Sequence, residues 1–262
     1  MLSLLFTFAL KEEARPFQKR VGSRSDLRIL ITGIGRANAE QAIRQALAER
    51  SPALVLTCGF AGALNPELAV GAVVFSVDEG LPSPIDPPLP APGRGTDSTR
   101  PNYSSPPPEG SGVGSFRRDV KPQLDRLAAA LVAANAQPAT FHCADRVAAS
   151  AEEKRALRQS NGADAVEMES GVIRAICARR NIPSATVRVI SDVANEDLPL
   201  DFNRLMDAGR NLSYGRLAAA LLRSPGQIGG LLRLQRQTQA AAENLAQVLM
   251  RVIEAGVGAE PD

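Results

Sequence analysis

Apolar runs of strand length alternate along this chain with stretches whose apolar residues recur at helical spacing. Leu2–Phe8, Leu27–Thr32, Ala53–Cys58, Ala72–Val77, Ala139–Cys143 and Ala185–Ile190 read as strands. Asn38–Ala48, Leu124–Ala133, Ala151–Arg158, Met168–Arg179 and Ala240–Ile253 read as helices, with Ala42, Ile43 and Leu47 near one face of the first. Strands that alternate with helices imply βαβ units, hence an α/β fold whose largely parallel sheet is covered on both faces. Such sheets bind ligands beyond the carboxyl ends of their strands. Attention therefore falls on four polar or glycine-rich segments after strands: Ala9–Glu13, Gly33–Asn38, Gly59–Gly62, read as a turn, and Ser191–Asn195.

Two regions interrupt the alternation. Residues 80–115 crowd prolines and glycines and offer few apolar side chains for burial, the composition of a mobile loop or disordered insertion. Strand signals resume after it, so residues 1–262 are expected to form a single domain. Residues 203–235 read as helix broken at Ser224-Pro225-Gly226, with leucines at Leu231, Leu232 and Leu234 that suit either a core or a subunit interface.

Composition narrows the possible functions. The 262 residues are 44% apolar, enough to bury a sizeable core without staples, and carry a net charge of only +2. That charge gives no field favouring nucleic acid or membrane, and at 4% aromatic content base stacking on a single strand is not expected. Cys58, Cys143 and Cys177 form no CxxC pair and suggest a reducing compartment. The single histidine, His142, leaves little room for a zinc site or a Ser-His-Asp triad. The apolar start lacks a basic n-region, is too short to span a bilayer and ends at Lys11-Glu12-Glu13. A soluble cytoplasmic protein is expected. Gly33-Ile34-Gly35 lacks the third glycine of a dinucleotide fingerprint, since Asn38 occupies its place.

Three segments carry candidate chemistry. Val166-Glu167-Met168-Glu169-Ser170 opens an amphipathic helix. Carboxylates at i and i+2 do not share a helix face, but both reach a pocket if the first precedes the helix; helix-start electrostatics account for them equally. Val187-Arg188-Val189-Ile190-Ser191-Asp192 is an apolar strand ending in a carboxylate, where ligand groups or a helix cap belong. Ala9-Leu10-Lys11-Glu12-Glu13-Ala14 follows the first strand and reads alternatively as an exposed helix start.

Taken in order with Thr32-Gly33-Ile34-Gly35, Thr57-Cys58-Gly59-Phe60-Ala61-Gly62 and Leu64–Gly71, these segments resemble the superfamily of purine and uridine nucleoside phosphorylases. The nearest branch is the 5′-methylthioadenosine/S-adenosylhomocysteine nucleosidases. The resemblance covers most of residues 1–78 and 138–203. It implies a three-layer αβα sandwich with a mixed, largely parallel central sheet, and cleavage of the N-glycosidic bond of a nucleoside, with a purine the expected base. It also implies a homodimer or higher homo-oligomer, and no cofactor or metal.

Cleavage builds positive charge on the ribose and negative charge on the base, a problem related to that of glycosidases. A general acid raised in pKa by burial suits the base, and the resemblance puts Asp192 there, oriented by Ser191. It has Glu169 accept the ribose hydroxyls, Met168 pack on the sugar face, Glu167 support that grip, and Glu12 activate water, with Glu13 one position away. Backbone groups of Ala61 and Gly62 would help hold the water or phosphate.

Departures from the family pattern bear on substrate. Phe60 replaces a serine, Val147 stands where a phenylalanine stacks on the base, and the proline-rich stretch replaces the segment that covers the substrate. Hopanoid-associated phosphorylases share the general pattern, so a large apolar 5′ group is conceivable. Phosphorolysis, with phosphate as co-substrate near Arg36 and Arg188, and a non-catalytic nucleoside-binding relative are the competing readings.

Overall fold

The computed structural model describes residues 3–77, 112–206, 226 and 228–257, and all side chains among them except those of 112–120. The expected proline-rich insertion falls almost wholly outside the described residues, as does most of the broken segment after Met206.

Eight strands form one sheet: β1 (Leu4–Phe8), β2 (Leu27–Ile31), β3 (Leu54–Ala63), β4 (Val73–Ser76), β5 (Gln137–Pro138), β6 (Phe141–Cys143), β7 (Ala165–Glu167) and β8 (Ser184–Asp192). The main path runs β2-β1-β3-β8-β4-β5, and β7 joins the far end of β3 and carries β6. Pairing is parallel except for β4 on β8 and β7 on β3. The helices are α1 (Lys11–Val21), α2 (Arg36–Glu49), α3 (Gly112–Ala133), α4 (Ala151–Asn161), α5 (Ser170–Arg179), α6 (Phe202–Leu205) and α7 (Ile228–Glu254).

The period-2 alternation of strand side chains builds the layers. Leu4, Phe6 and Phe8 of β1, with Leu54, Leu56 and Cys58 of β3, pack into one core with α1, α3 and α7. Leu5 and Val55, one residue out of phase, pack on the opposite face against α2 and α5. Central strands buried on both faces are the near-continuous apolar runs seen in the sequence, and the result is an α/β fold with a mixed, mostly parallel sheet between helical layers.

Three elements differ from expectation. Gly59–Gly62 is not a turn: β3 continues through it to Ala63, because Val187 to Ile190 of the neighbouring β8 pair with Cys58 to Ala61 and extend the ladder that far. The register then shifts between Ala61 and Gly62, and β7 pairs there with Gly62 and Ala63. The acidic stretch after β1 forms α1, which supplies Phe17 to the ring cluster with Phe6 and Phe8, at centroid separations of 4.7 and 6.1 Å. Finally, α7 runs unbroken from Ile228, joining the stretch read as helix up to residue 235 to the helix expected from Ala240. Its exposed early turns have no apolar stripe as continuous as that from Ala241 to Ile253.

Candidate active site

A cavity of about 240 Å³ opens at the carboxyl ends of β1, β3 and β8. Its walls include Glu13, Ala61, Gly62, Val147, Glu167, Met168, Glu169, Ser191 and Asp192. All nine lie in segments singled out from the sequence. Glu12 does not line it: one position along α1, its side chain is exposed and turned into a neighbouring groove with Arg15 and Lys19. The structure places Glu13 rather than Glu12 at this cavity, because a helix turns successive residues by about 100° and only Glu13 is buried against the sheet.

Glu13 is 4% exposed and fixed at both oxygens. One accepts the Leu10 N–H at 3.0 Å, the half of a capping box that Leu10, lacking a side-chain acceptor, cannot reciprocate. The other accepts the Phe60 N–H at 3.0 Å. Burial pushes its pKa up, a rise only partly offset by Arg188 and these N–H groups. Gly59 makes the arrangement possible. Its φ is +139°, and a Cβ there would lie 2.7 Å from Arg188 Nη1 and 2.9 Å from Glu13 Oε2.

Arg188 sits on β8 with 1% exposure. It donates to Cys58 O at 2.9 Å and to Glu167 Oε2, and its Nη2 is 3.6 Å from Glu169 Oε2. It is a core counter-ion and not a wall of the cavity.

β7 ends at Glu167 and α5 starts at Ser170, so Glu167 does precede the helix. Its carboxylate accepts the N–H groups of Glu169 and Ser170, at 3.0 and 2.8 Å, and the Ser170 hydroxyl at 2.7 Å. Glu167 therefore serves the helix start and the cavity wall together. Burial alone would raise its pKa, but Arg188 and these hydrogen bonds hold it below the usual value. Glu169 differs. Burial, opposed by Arg188 and reinforced by Glu167, pushes it up to about 7. It accepts the Gly35 N–H at 2.7 Å, and both Gly33 and Gly35 adopt positive φ to turn that backbone inward.

Asp192 ends β8. The Ser191 hydroxyl is 2.6 Å from Asp192 Oδ1, and Lys154 Nζ is 2.6 Å from Oδ2. Gly62 leaves room for the carboxyl, since a Cβ there would lie 3.1 Å from Oδ2. Glu13 thus lies against Gly59 and Asp192 against Gly62, three residues or roughly 10 Å apart along one strand.

Val147 is held by Asn203 of α6, which bonds both its N–H and its carbonyl at 2.9 Å. The rest of the wall is mostly apolar: Leu10, Ile34 and Phe60, then Leu198, Phe202 and Met206, then Leu234 of α7. Lys154, Asn203, Leu198, Phe202 and Met206 escaped the sequence reading, whereas Leu10, Ile34 and Phe60 lie in segments it singled out. Ser150 caps α4 and Asp201 caps α6, but nothing in a cap shows which later residue turns inward.

Arg36 lies 3.6 Å from Asp145 and does not reach the cavity. Arg146 is the cationic side chain among the described wall residues, and it pairs with Glu153. Four carboxylates line a wall whose other side chains are mostly apolar, a setting suited to a ligand that becomes positively charged. His142 on β6 is not a wall residue. Cys58 and Cys143 are held up as neutral thiols by burial, and Cys177 is pushed up to about 12 for the same reason. Among the described residues no group of three metal-ligating side chains converges, and no helix is long and apolar enough to cross a membrane.

Comparison with known proteins agrees with this layout. A 5′-methylthioadenosine/S-adenosylhomocysteine nucleosidase of Staphylococcus aureus is 25% identical over 191 residues, which is 71% of this chain and 78% of the relative. The nucleosidase of the same name from Colwellia psychrerythraea, solved with adenine, superposes with a TM-score of 0.61 at 17% identity, covering 97% of this chain and 95% of its own. Futalosine hydrolase of Helicobacter pylori gives a TM-score of 0.57 at 15% identity, with 97% of each chain covered. These two structures establish the fold. The family model described as the phosphorylase superfamily matches residues 17–224, a span holding most of the sheet and every wall segment except those before Phe17 and within α7; the chain belongs to the phosphorylase superfamily.

Proposed function

We propose that this protein is a nucleosidase: it hydrolyses the N-glycosidic bond of a nucleoside, with a purine the preferred base. The observation that carries this reading is the convergence of Glu13 and Asp192 on one cavity, spaced along β3 with Glu169 and Met168 beside them. In the proposed reaction Glu13, kept as a base by its two N–H partners, takes a proton from water. The oxygen of that water bonds to the anomeric carbon. Asp192 delivers a proton to a ring nitrogen of the base as the carbon–nitrogen bond breaks and its electron pair leaves with the base. Glu169 accepts sugar hydroxyls and Met168 packs on the sugar. The carboxylates of the wall favour the cation-like sugar in the transition state.

The choice of water over phosphate rests on charge. A phosphate beside Glu13 would meet a carboxylate, and the nearby Arg188 is already committed to Glu167, Glu169 and the Cys58 carbonyl. Arg36, the other candidate for phosphate, is turned to Asp145. The relatives named as nucleosidases point the same way.

Substitution Asp192→Asn separates this reading from a non-catalytic binder. Turnover is expected to fall by about 10²–10⁴-fold, the usual share of acid–base catalysis, while the affinity for a nucleoside, measured by calorimetry, stays within a few-fold. Unchanged base release in the variant would remove Asp192 from the reaction.

A further inference from the structure

One buried titratable side chain outside the proposed reaction directs its bonding capacity at the site. Lys154 of α4 is 0% exposed. Its Nζ lies 2.6 Å from Asp192 Oδ2, 2.8 Å from Val193 O and 3.0 Å from Glu196 O. An ammonium has three N–H donors, and here each has one acceptor. Two tie down the backbone that follows β8. The third goes to the carboxyl group assigned to the leaving base, whose other oxygen is held by Ser191. A lysine needed only to tie the loop would require no carboxylate partner.

We propose that Lys154 is a positioning residue for the leaving-base acid, an inference that rests on the hydrolytic reading above. With Ser191 at one oxygen and Lys154 at the other, the plane of the Asp192 carboxyl is fixed. When the proton passes from Asp192 to the base nitrogen, the carboxylate left behind lies against the ammonium. Its charge is met by a partner already in place, so the interaction is stronger after proton transfer than before it. Such a differential interaction accelerates the step.

The test measures kcat and KM for the wild type, Lys154→Met, Asp192→Asn and the double variant on a nucleoside that the wild type cleaves. Lys154→Met is expected to lower kcat about tenfold or more, a fraction of the whole acid–base contribution, with KM within about threefold. In the Asp192→Asn background the same change is expected to have little further effect, because partners acting as a unit are not additive. If the methionine variant fails to fold, Lys154→Gln, which keeps an N–H donor for the two carbonyls, carries the same comparison. An unchanged kcat, or an equal loss in both backgrounds, would show that Lys154 serves only the loop and overturn the inference alone. A wild type that releases no base overturns the functional reading and this inference with it.

Discussion

Glu12 and Glu13 are the same residue type on consecutive positions of α1, yet one is exposed and the other is held by two backbone N–H groups beneath Gly59. Periodicity alone could not choose between them, because the segment is too short and too polar to show which face is inward. Replacing Glu13 by Gln is expected to lower kcat by about 10²–10⁴-fold, and Glu12→Gln to leave it within about twofold. Steady-state kinetics on both variants checks the assignment. A pH profile adds a second readout. Glu13 must be unprotonated to act as a base, and burial raises its pKa. Activity should therefore fall with decreasing pH through a value above the ordinary glutamate range of ~4.3. The carboxyls of Glu167, Glu169 and Asp192 were legible from residue type and order. Lys154 was not, because a lysine amid the charged stretch Glu152-Glu153-Lys154-Arg155 looks like a solvated helix face.

Among the elements, the proposed chemistry depends on β3 continuing where glycines suggested a turn. Gly59 and Gly62 do not bend the chain away; they thin the strand so that Glu13 with Arg188, and then Asp192, can lie against its backbone. Gly59→Ala meets both a positive φ and three side-chain atoms at 2.7, 2.9 and 3.0 Å. It is expected to cost on the order of 1–3 kcal/mol, seen as a lower Tm, and to depress turnover by displacing Glu13. An alanine variant with wild-type Tm and kcat would show that the strand has slack at this point. Strand runs were readable where they are long enough to show an apolar stretch, as in β1 and β3. β7 was not, since three residues between a polar loop and a helix carry no periodicity. The early turns of α7 were read as helix but not as part of the site, although Leu234 reaches the cavity.

At the scale of the whole molecule, the alternation of strands and helices gave the layered α/β order, and motif order along the chain gave the family. Both follow from short-range pattern. The wall that faces the ligand beyond the carboxylates, with Leu10, Phe60, Phe202, Met206 and Leu234, draws on five separate segments. Their meeting is a property of the topology, so no single stretch of sequence announces it. The proposed hydrolysis requires that this assembled cavity deliver water, not phosphate, to the sugar. The measurement that tests it most directly is chromatographic base release from a panel of purine and pyrimidine nucleosides, with and without phosphate. The account predicts free base and free sugar from a purine nucleoside at a rate that phosphate does not raise. Release that requires phosphate and yields a sugar 1-phosphate would contradict it.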